Sequence, residues 1–383
     1  MPPINEPQSR FLRQAPRDGT YVNKHHNRWN RIHIDPWLML FLALLAGLGM
    51  IILYSASERD SAMVIRQGVS FILAFGLLAF MAQIPPRLYQ AFSPYFFVGA
   101  FILLVAVKLF GDVRMGAQRW LAIPGFGSLQ PSEFMKLAMP MTTAWFLASR
   151  PLPPKPGRVL LTLLMIGIPA LLIAEQPDLG TAILVTLSGL FVLFMGGLPW
   201  WMIGLFIAGM GVLIPIAWEF LLHGYQKQRV LTLLNPEADA LGTGWNIIQS
   251  KTAIGSGGLV GKGYLNGTQS HLHFLPEGHT DFIIAAFSEE FGFFGVCLLI
   301  TIYSLIIIRC FQIAMATPDS YGRLLAGAIS MSFFVYVFVN AGMVSGILPV
   351  VGVPLPFVSY GGTAIITLMA GFGLLMSIST HRQ

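Results

Sequence analysis

Long apolar segments follow one another along most of this 383-residue chain. A helix needs about 20 apolar residues to cross the hydrocarbon core of a bilayer. Ten segments come close to that length, and they cover residues 37–57, 62–84, 91–110, 130–149, 157–174, 180–197, 199–218, 282–310, 322–344 and 362–380. Only 10% of the residues are charged, against about 25% in a typical soluble domain. We therefore predict an all-α polytopic membrane protein with about ten transmembrane helices.

A polar, basic leader precedes the first apolar segment. Its lysines and arginines are Arg10, Arg13, Arg17, Lys24, Arg28 and Arg31. A basic flank beside a membrane helix usually fixes topology or contacts anionic membrane lipid, and we favour that interpretation over nucleic-acid binding. The apolar stretch that follows is longer than the ~7–15 residues of a signal-peptide core, which argues against cleavage. We interpret residues 1–34 as a cytoplasmic leader and residues 35–383 as a single transmembrane domain.

The distribution of basic residues predicts the orientation of the helices. If the leader is cytoplasmic, the inner loops and helix ends also hold Arg87, Arg150, Lys155, Arg158, Arg309, Arg323 and Arg382. That places 13 of the 23 lysines and arginines on the inner side, as expected for a protein with both termini in the cytoplasm. The outer loop at 108–128 is the exception, because it carries Lys108, Arg114 and Arg119. Basic residues placed against the rule are candidates for ligand binding.

Two outer loops differ from the short connections between the other segments. The first spans residues 219–281, between the seventh and eighth predicted helices, and its mixed polar and apolar pattern predicts short interfacial helices. The second spans residues 346–362 and contains three prolines and no charge. Irregular backbone at membrane depth is tolerated only where protein or a cavity buries it. This final loop is therefore either a wall for a lipid tail or a sugar, or an uncharged connector at the interface.

Charged residues near the outer surface are the first candidates for a functional site. Glu133 and Lys136 lie three residues apart at the start of the fourth segment, so they share a helix face. Such a pair inside a span either serves a ligand or locks helices together, and the spacing leaves both open. Asp178 lies in an outer turn, where it is a helix N-cap or a site residue. Arg119 is close enough in sequence to join the Glu133–Lys136 pair.

Asp281 is the leading candidate for catalysis. It lies where the long outer loop re-enters the membrane, and partial loss of water there suits a carboxylate that acts as a general base. The alternative role for Asp281 is a helix N-cap. Glu277 and His279 lie nearby, which makes a metal site conceivable, although three residues of mixed type in one loop are a weak signal.

Residues 255–263, with the sequence GSGGLVGKG, resemble a phosphate loop only superficially. The Walker pattern needs a glycine five residues before Gly261 and a serine or threonine after Lys262. Ser256 and Gly263 occupy those two positions, so the phosphate-loop interpretation fails. The stretch is either a plain linker or a flexible segment whose amides and Lys262 meet an anionic headgroup.

These segments also carry a family resemblance. Residues 354–362, with the sequence PLPFVSYGG, resemble the signature of the bacterial SEDS family of shape, elongation, division and sporulation proteins. The similarity runs from the first span to the last and includes residues 130–136, 176–180 and 274–282. Within the family, residues 249–259 are more similar to the elongation members than to the division members. One departure is Gly278, where elongation members often carry arginine.

The resemblance implies a peptidoglycan glycosyltransferase of the bacterial cytoplasmic membrane. SEDS proteins polymerise lipid II, a disaccharide-pentapeptide on undecaprenyl pyrophosphate, at the outer membrane face, and they act with a class B penicillin-binding transpeptidase. The family's essential aspartate corresponds to Asp281, and its intramembrane pair corresponds to Glu133 and Lys136. Asp178 and Arg119 correspond to further polar positions of the family's outer cavity.

The residues and the resemblance together give a mechanistic hypothesis. Asp281 acts as general base on a sugar hydroxyl of the acceptor, and undecaprenyl pyrophosphate leaves the donor. The candidates for stabilising the pyrophosphate charge are a divalent cation and the side chains of Arg119, Lys136, Lys251 and Lys262. Two alternatives stay open: a lipid II flippase, which Glu289 and Glu290 inside the eighth segment favour, and a scaffold of the elongation machinery without chemistry of its own.

Overall fold

A computed structural model of the chain describes residues 32–114, 117–123, 127–221, 224–239, 243–268 and 278–381. Residues 1–31 of the predicted leader therefore lie outside the described residues. Twelve α-helices are found in the described part: α1 Pro36–Ala56, α2 Ser61–Gln83, α3 Pro86–Phe110, α4 Pro131–Ala148, α5 Pro156–Glu175, α6 Leu179–Met195, α7 Trp200–Ile216, α8 Gly224–Leu234, α9 Thr243–Gly257, α10 Ile283–Met315, α11 Ser320–Val344 and α12 Gly362–Thr380.

Every predicted transmembrane segment is a helix, and no boundary moves by more than five residues. These helices are α1 to α7 and α10 to α12. Within the described residues, eight of them are long and apolar enough to cross a membrane, with α7 counted together with its π-helical continuation to Phe220. Of the other two, α6 is apolar but only 17 residues long, and α4 carries the charged side chains of Glu133 and Lys136. The predicted polytopic all-α fold is confirmed.

Local sequence signals account for where several helices begin and end. The carboxylate of Asp35 accepts a hydrogen bond from the amide of Leu38 at 3.0 Å and caps α1. Proline is the first residue of α1, α3, α4 and α5, where its missing N–H leaves no helical partner unsatisfied. Gly197 has a φ of +82°, which allows the tight turn between α6 and α7.

A small antiparallel sheet occupies the outer loop after α3. Its strands, in the order β1-β2-β3, are β1 Asp112–Arg114, β2 Ala117–Ile123 and β3 Gly127–Leu129. The sequence analysis treated this region as a loop, because two of its strands are only three residues long and such strands carry almost no periodic signal. The sheet matters for the site, because β2 carries Arg119.

The long loop between α7 and α10 is largely helical, as predicted. It begins with a π-helical turn, Ala217–Leu221, and continues with α8, a 3₁₀ turn at Pro236–Asp239, and α9. The side chain of Ser250 on α9 donates to the carbonyl of Val344 at 2.8 Å, which fixes α9 against the end of α11.

The glycine-rich segment after α9 has a structural function. α10 is kinked at Gly292, whose φ is +63°, and residues 257–263 pack into that kink. The amide of Lys262 donates to the carbonyl of Glu289 at 3.0 Å, and a Cβ atom on Gly292 would overlap the backbone nitrogen of Gly261. Gly257, Gly261 and Gly292 are thus required for close backbone packing, and the amides of residues 261–263 donate within the protein.

The helices form a bundle with one loop-rich end. The sheet, the long α7–α10 connection and the final loop (residues 345–361) lie at that end, which we call the loop end. The final loop is anchored in the core by Phe357, which is 1% exposed and packs against Phe333 and Phe372. Residues 353–359 of this loop are therefore mostly buried in protein, whereas Ser345, Ile347 and Gly352 are exposed. At the opposite end, Arg309 Nη2 pairs with Asp35 Oδ2 at 2.6 Å.

Candidate active site

Asp281 lies at the loop end, immediately before α10. The residue at the N-cap position of α10 is Phe282 rather than Asp281, and the Phe282 side chain makes no capping hydrogen bond. The side chain of Asp281 is partly exposed, whereas the following Phe282 is buried at 1% exposure. A carboxylate in this position is open to a substrate while its backbone is fixed by the core.

The final loop passes directly over the carboxylate of Asp281. A Cβ atom built on Gly352 would lie 3.5 Å from Asp281 Oδ2, so the glycine backbone and the carboxylate are in close proximity. Gly352 has a φ of +74°, a conformation that an L side chain rarely adopts. The positive φ favours glycine at this position, and an added methyl group would make van der Waals contact with the carboxylate.

Three consecutive backbone carbonyls at residues 279–281 accept hydrogen bonds from the final loop and from α11. The amide of Tyr360 donates to His279 O at 3.0 Å, and Ser359 Oγ donates to Thr280 O at 2.5 Å. Asn340 Nδ2 donates to Asp281 O at 2.9 Å. The turn that carries Asp281 is therefore held on its carbonyl side by α11 and the final loop.

The same loop also reaches the start of α6. A Cβ atom on Gly180 would lie 2.5 Å from the carbonyl oxygen of Val351. Residues 351–353 thus pass from the neighbourhood of Asp178, two residues before Gly180, to that of Asp281. An apolar cavity of about 190 Å³ lies under this part of the loop, between α6 and α11.

Asp178 and Arg119 meet at the turn between α5 and α6. Asp178 Oδ1 accepts from the amide of Thr181 at 3.2 Å, so the predicted capping role is confirmed. Its other oxygen accepts from Gln130 Nε2 at 3.0 Å, and Arg119 Nη1 lies 4.0 Å from Oδ1. The guanidinium also donates to the carbonyl of Pro177. Arg119 is thus held beside Asp178, with its side chain 32% exposed.

Glu133 and Lys136 form a buried ion pair on α4 that faces α11. Lys136 Nζ lies 2.6 Å from Glu133 Oε1, and each side chain is only 10% exposed. The ammonium also lies 5.4 Å from the ring centroid of Tyr336 on α11. Within the described part of the chain, the second oxygen of Glu133 is buried without a hydrogen-bond partner.

α11 connects this ion pair with Asp281. Tyr336, which contacts Lys136, and Asn340, which holds the backbone of Asp281, are four residues apart and so share one face of the helix. The ion pair and the aspartate are therefore separated by about one helical turn along α11. Arg119 does not join the ion pair directly, contrary to one interpretation of the sequence, but pairs with Asp178 instead.

The two remaining candidate lysines occupy different environments. Lys251 extends from α9 over Gly346, where an added Cβ atom would lie 2.8 Å from its Nζ. Lys262 Nζ instead pairs at 2.6 Å with Glu289, whose side chain is completely buried. Glu289 also accepts from the amide and the hydroxyl of Thr268.

Glu289 and Glu290, which favoured a flippase in the sequence analysis, both serve the kink of α10. Glu290 is buried and accepts a hydrogen bond from the hydroxyl of Ser55 on α1. The backbone carbonyls of both glutamates accept from the amides of residues 262 and 263. Their contacts in the described residues lie beside the loop end rather than along a path through the bundle.

Asn340 and Gln67 are site residues that the sequence analysis missed. Gln67 on α2 is buried and donates to the carbonyl of Ser359 at 3.0 Å, which supports the final loop from the other side. A polar amide inside an apolar segment was the available signal, because such a group needs buried partners. Its partners could not be named, since they lie far away in sequence.

The described residues contain no group of three His, Cys, Asp or Glu side chains that could hold a metal ion. Glu277, part of the conceivable site with His279 and Asp281, lies outside the described residues.

Replacing Gly352 with alanine is expected to lower the catalytic rate by about tenfold or more. The new methyl group would contact the Asp281 carboxylate, and the residue would be strained at positive φ. Turnover in a purified enzyme assay measures the effect. Gly76→Ala is the matched control, because a Cβ atom at this position on α2 meets nothing within 4 Å. Equal activity of the two variants would contradict the contact between the loop and the carboxylate.

The chain is similar to known protein families over most of its length. Residues 36–383 match the family model of FtsW, RodA and SpoVE, described as cell cycle protein. The chain is 52% identical over 355 residues to the peptidoglycan glycosyltransferase MrdB of Escherichia coli K12, which covers 93% of this chain and 96% of that protein. It is 36% identical to the probable peptidoglycan glycosyltransferase FtsW of Trichlorobacter lovleyi, with 90% and 93% covered.

Solved structures show the same fold. A chain of a peptidoglycan synthase complex that coordinates polymerization and crosslinking is 30% identical, has a TM-score of 0.80, and covers 91% of this chain and 98% of that one. The crystal structure of the rod shape determining protein RodA of Thermus thermophilus is 28% identical, with a TM-score of 0.68 and coverage of 91% and 97%.

Proposed function

Because the chain belongs to the FtsW, RodA and SpoVE family of cell cycle proteins and is a peptidoglycan glycosyltransferase, we propose that it polymerises lipid II with Asp281 as general base. The substrate is a disaccharide-pentapeptide carried on undecaprenyl pyrophosphate. One observation carries the proposal: the partly exposed carboxylate of Asp281 lies at the loop end, on a turn held by three successive carbonyl hydrogen bonds.

The reaction transfers the growing glycan from its lipid carrier to the next sugar. The Asp281 carboxylate takes the proton from the 4-hydroxyl of the acceptor's N-acetylglucosamine. The hydroxyl oxygen forms a bond to C1 of the donor's N-acetylmuramic acid with inversion. The bond between C1 and the pyrophosphate oxygen breaks, and undecaprenyl pyrophosphate leaves with that electron pair. No group is oxidised or reduced in this step.

Negative charge that develops on the leaving pyrophosphate needs cations in a site with little water. Arg119 and Lys251 are the better placed of the four candidates, because Arg119 is partly exposed and Lys251 reaches over the final loop at Gly346. Lys136 is buried against Glu133 and Tyr336, so it would contribute positive charge beneath the site without direct contact with the pyrophosphate. Lys262 pairs with Glu289 at the kink of α10. It is therefore a weaker candidate for contact with the pyrophosphate than Arg119 or Lys251.

Apolar grooves between the helices offer room for the polyprenyl tails. A groove of about 560 Å³ lies between α9, α10 and α11, and Ile284, Phe293 and Phe338 are among its lining residues. A second groove of about 350 Å³ lies between α5, α6 and α7, toward the end of the bundle opposite to the loop end, and is therefore farther from Asp281. Both are lined mainly by apolar side chains, as polyprenyl binding requires.

The protein is a multi-pass membrane protein, and we place its loop end on the outer face of the bacterial cytoplasmic membrane. Both termini then lie in the cytoplasm, in agreement with the excess of basic residues at the inner ends. Lipid II carries its sugar and peptide on the outer face, so the orientation brings Asp281 to the same side as the substrate. We assign the activity to cell elongation, because of the 52% identity to MrdB.

We propose a class B penicillin-binding transpeptidase as the partner. A similar chain occurs in a peptidoglycan synthase complex that couples polymerization to crosslinking, and a new glycan strand needs a second enzyme to link its peptides. This chain supplies the first of those activities.

A reconstitution experiment separates polymerisation from lipid II transport. Proteoliposomes that contain fluorescent lipid II are expected to yield glycan polymer from the accessible leaflet, while the fraction of lipid II protected from an external quencher stays as in protein-free vesicles. Loss of the protected fraction without polymer would favour a flippase. Neither polymer nor movement, in the presence of the transpeptidase partner, would favour a scaffold.

A further inference from the structure

We infer that Asn340 and Ser359 are positioning residues that hold the Asp281 turn in the geometry needed for proton transfer. The inference rests on the proposed function, because it assigns a purpose to contacts of the proposed base. Neither side chain touches the Asp281 carboxylate in the described contacts. Both bind the backbone on which that carboxylate is carried.

Asn340 joins two segments through a single nitrogen. Its Nδ2 donates to Asp281 O at 2.9 Å and to Val353 O at 2.7 Å, so both amide protons are used. Val353 follows Gly352, whose backbone lies against the Asp281 carboxylate. One side chain therefore sets the distance between the catalytic turn and the loop that covers it.

The remaining oxygen of Asn340 argues against a role in stability alone. The residue is completely buried, and its Oδ1 has no hydrogen-bond partner in the described part of the chain. Burial of an unsatisfied acceptor costs stability, and an apolar residue of similar shape avoids that cost. The amide is instead explained by its two N–H donors, which bind the carbonyls of Asp281 and Val353 and which no apolar residue supplies.

Ser359 likewise joins the final loop to the Asp281 turn, through the neighbouring carbonyl of Thr280. Its hydroxyl donates to Thr280 O at 2.5 Å and accepts from the amide of Leu355 at 2.8 Å. It therefore ties the same turn to the same loop, three residues before the start of α12. The two side chains act at consecutive carbonyls, which holds the backbone from which the Asp281 side chain extends. Misplacement of a reacting group by about 1 Å costs about 10²-fold in rate.

The test compares Ser359→Ala with Ser359→Thr in the full-length protein with its transpeptidase partner. We expect kcat for lipid II polymerisation to fall about 10- to 100-fold in Ser359→Ala, with KM within about twofold of wild type. Ser359→Thr keeps the hydroxyl donor and is expected to recover most of the loss. Ser330→Ala is the matched control, because Ser330 is equally buried, and its hydroxyl bonds to Ala326 O within α11 and contacts Cys310 on α10, so neither partner belongs to the Asp281 turn.

Asn340→Leu extends the test to the second residue. Its kcat is expected to fall by at least as much as that of Ser359→Ala, because two hydrogen bonds are lost. Thermal unfolding and gel filtration report whether Asn340→Leu folds. If it does not fold, the comparison of Ser359→Ala with Ser359→Thr decides whether these residues position the Asp281 turn. Wild-type kcat in folded Ser359→Ala, or a loss that Ser359→Thr fails to recover, would overturn the positioning role. Failure of the proposed function is a different outcome: Asp281→Asn would then polymerise at the wild-type rate.

Discussion

Asp281→Asn is expected to lower the kcat of lipid II polymerisation by about 10³-fold, because the amide cannot accept the proton that a general base removes. The side chain keeps its size, and the backbone hydrogen bonds at residues 279–281 do not involve it. KM for lipid II should therefore change little. Initial rates with labelled lipid II, at several substrate concentrations, measure both quantities.

Asp319→Asn is the matched control for this variant. Asp319 caps α11 at the opposite end of the bundle, where its Oδ2 accepts from the amide of Gly322 at 2.9 Å. Asparagine is about as good an N-cap as aspartate, so activity and folding should stay near wild type. A folded Asp281→Asn protein that polymerises as fast as this control would remove Asp281 from the mechanism.

Lys136→Met is expected to destabilise the protein by about 3–5 kcal/mol, because it leaves the buried Glu133 carboxylate without its counter-ion. The ion pair is short, at 2.6 Å, and both side chains are 10% exposed, so water replaces the lost ammonium poorly. A lower temperature of thermal unfolding in detergent or nanodiscs measures the change.

The double variant Glu133→Gln/Lys136→Met separates structure from function in this pair. Removal of both charges should restore most of the stability, because the cost of an unpaired buried charge is gone. Polymerisation should nevertheless stay at least about tenfold below wild type, since the ammonium near Tyr336 no longer contributes to the charge of the site. Full recovery of both stability and rate would show that the pair only locks α4 to α11.

Most of the fold could be predicted from sequence because lipid imposes a simple rule. A helix is the solution for an apolar span, since every backbone group must be satisfied without water. All ten spans followed from length and hydropathy, including α4, which carries two charges and is not among the eight helices that are long and apolar enough to cross a membrane. The sheet after α3 could not be predicted, because two of its strands are only three residues long and carry almost no periodic signal.

The candidate site could be predicted only as a set of separate residues. Asp281, Asp178, Glu133 and Lys136 were identified from charge at membrane depth and from resemblance. Their arrangement along α11 needed the structure, because Tyr336 and Asn340 bring them together from segments far apart in sequence. The glycine segment at 257–263 was misinterpreted for the same reason, since its partner is the kink at Gly292.

The most direct test of the account is lipid II polymerisation by the purified protein with its transpeptidase partner, after a β-lactam has blocked crosslinking. The wild-type protein is predicted to give a ladder of glycan strands, and a folded Asp281→Ala variant is predicted to give none. Ladders of equal intensity from both proteins would contradict the assignment of Asp281, and the absence of a ladder from both would contradict lipid II polymerisation itself.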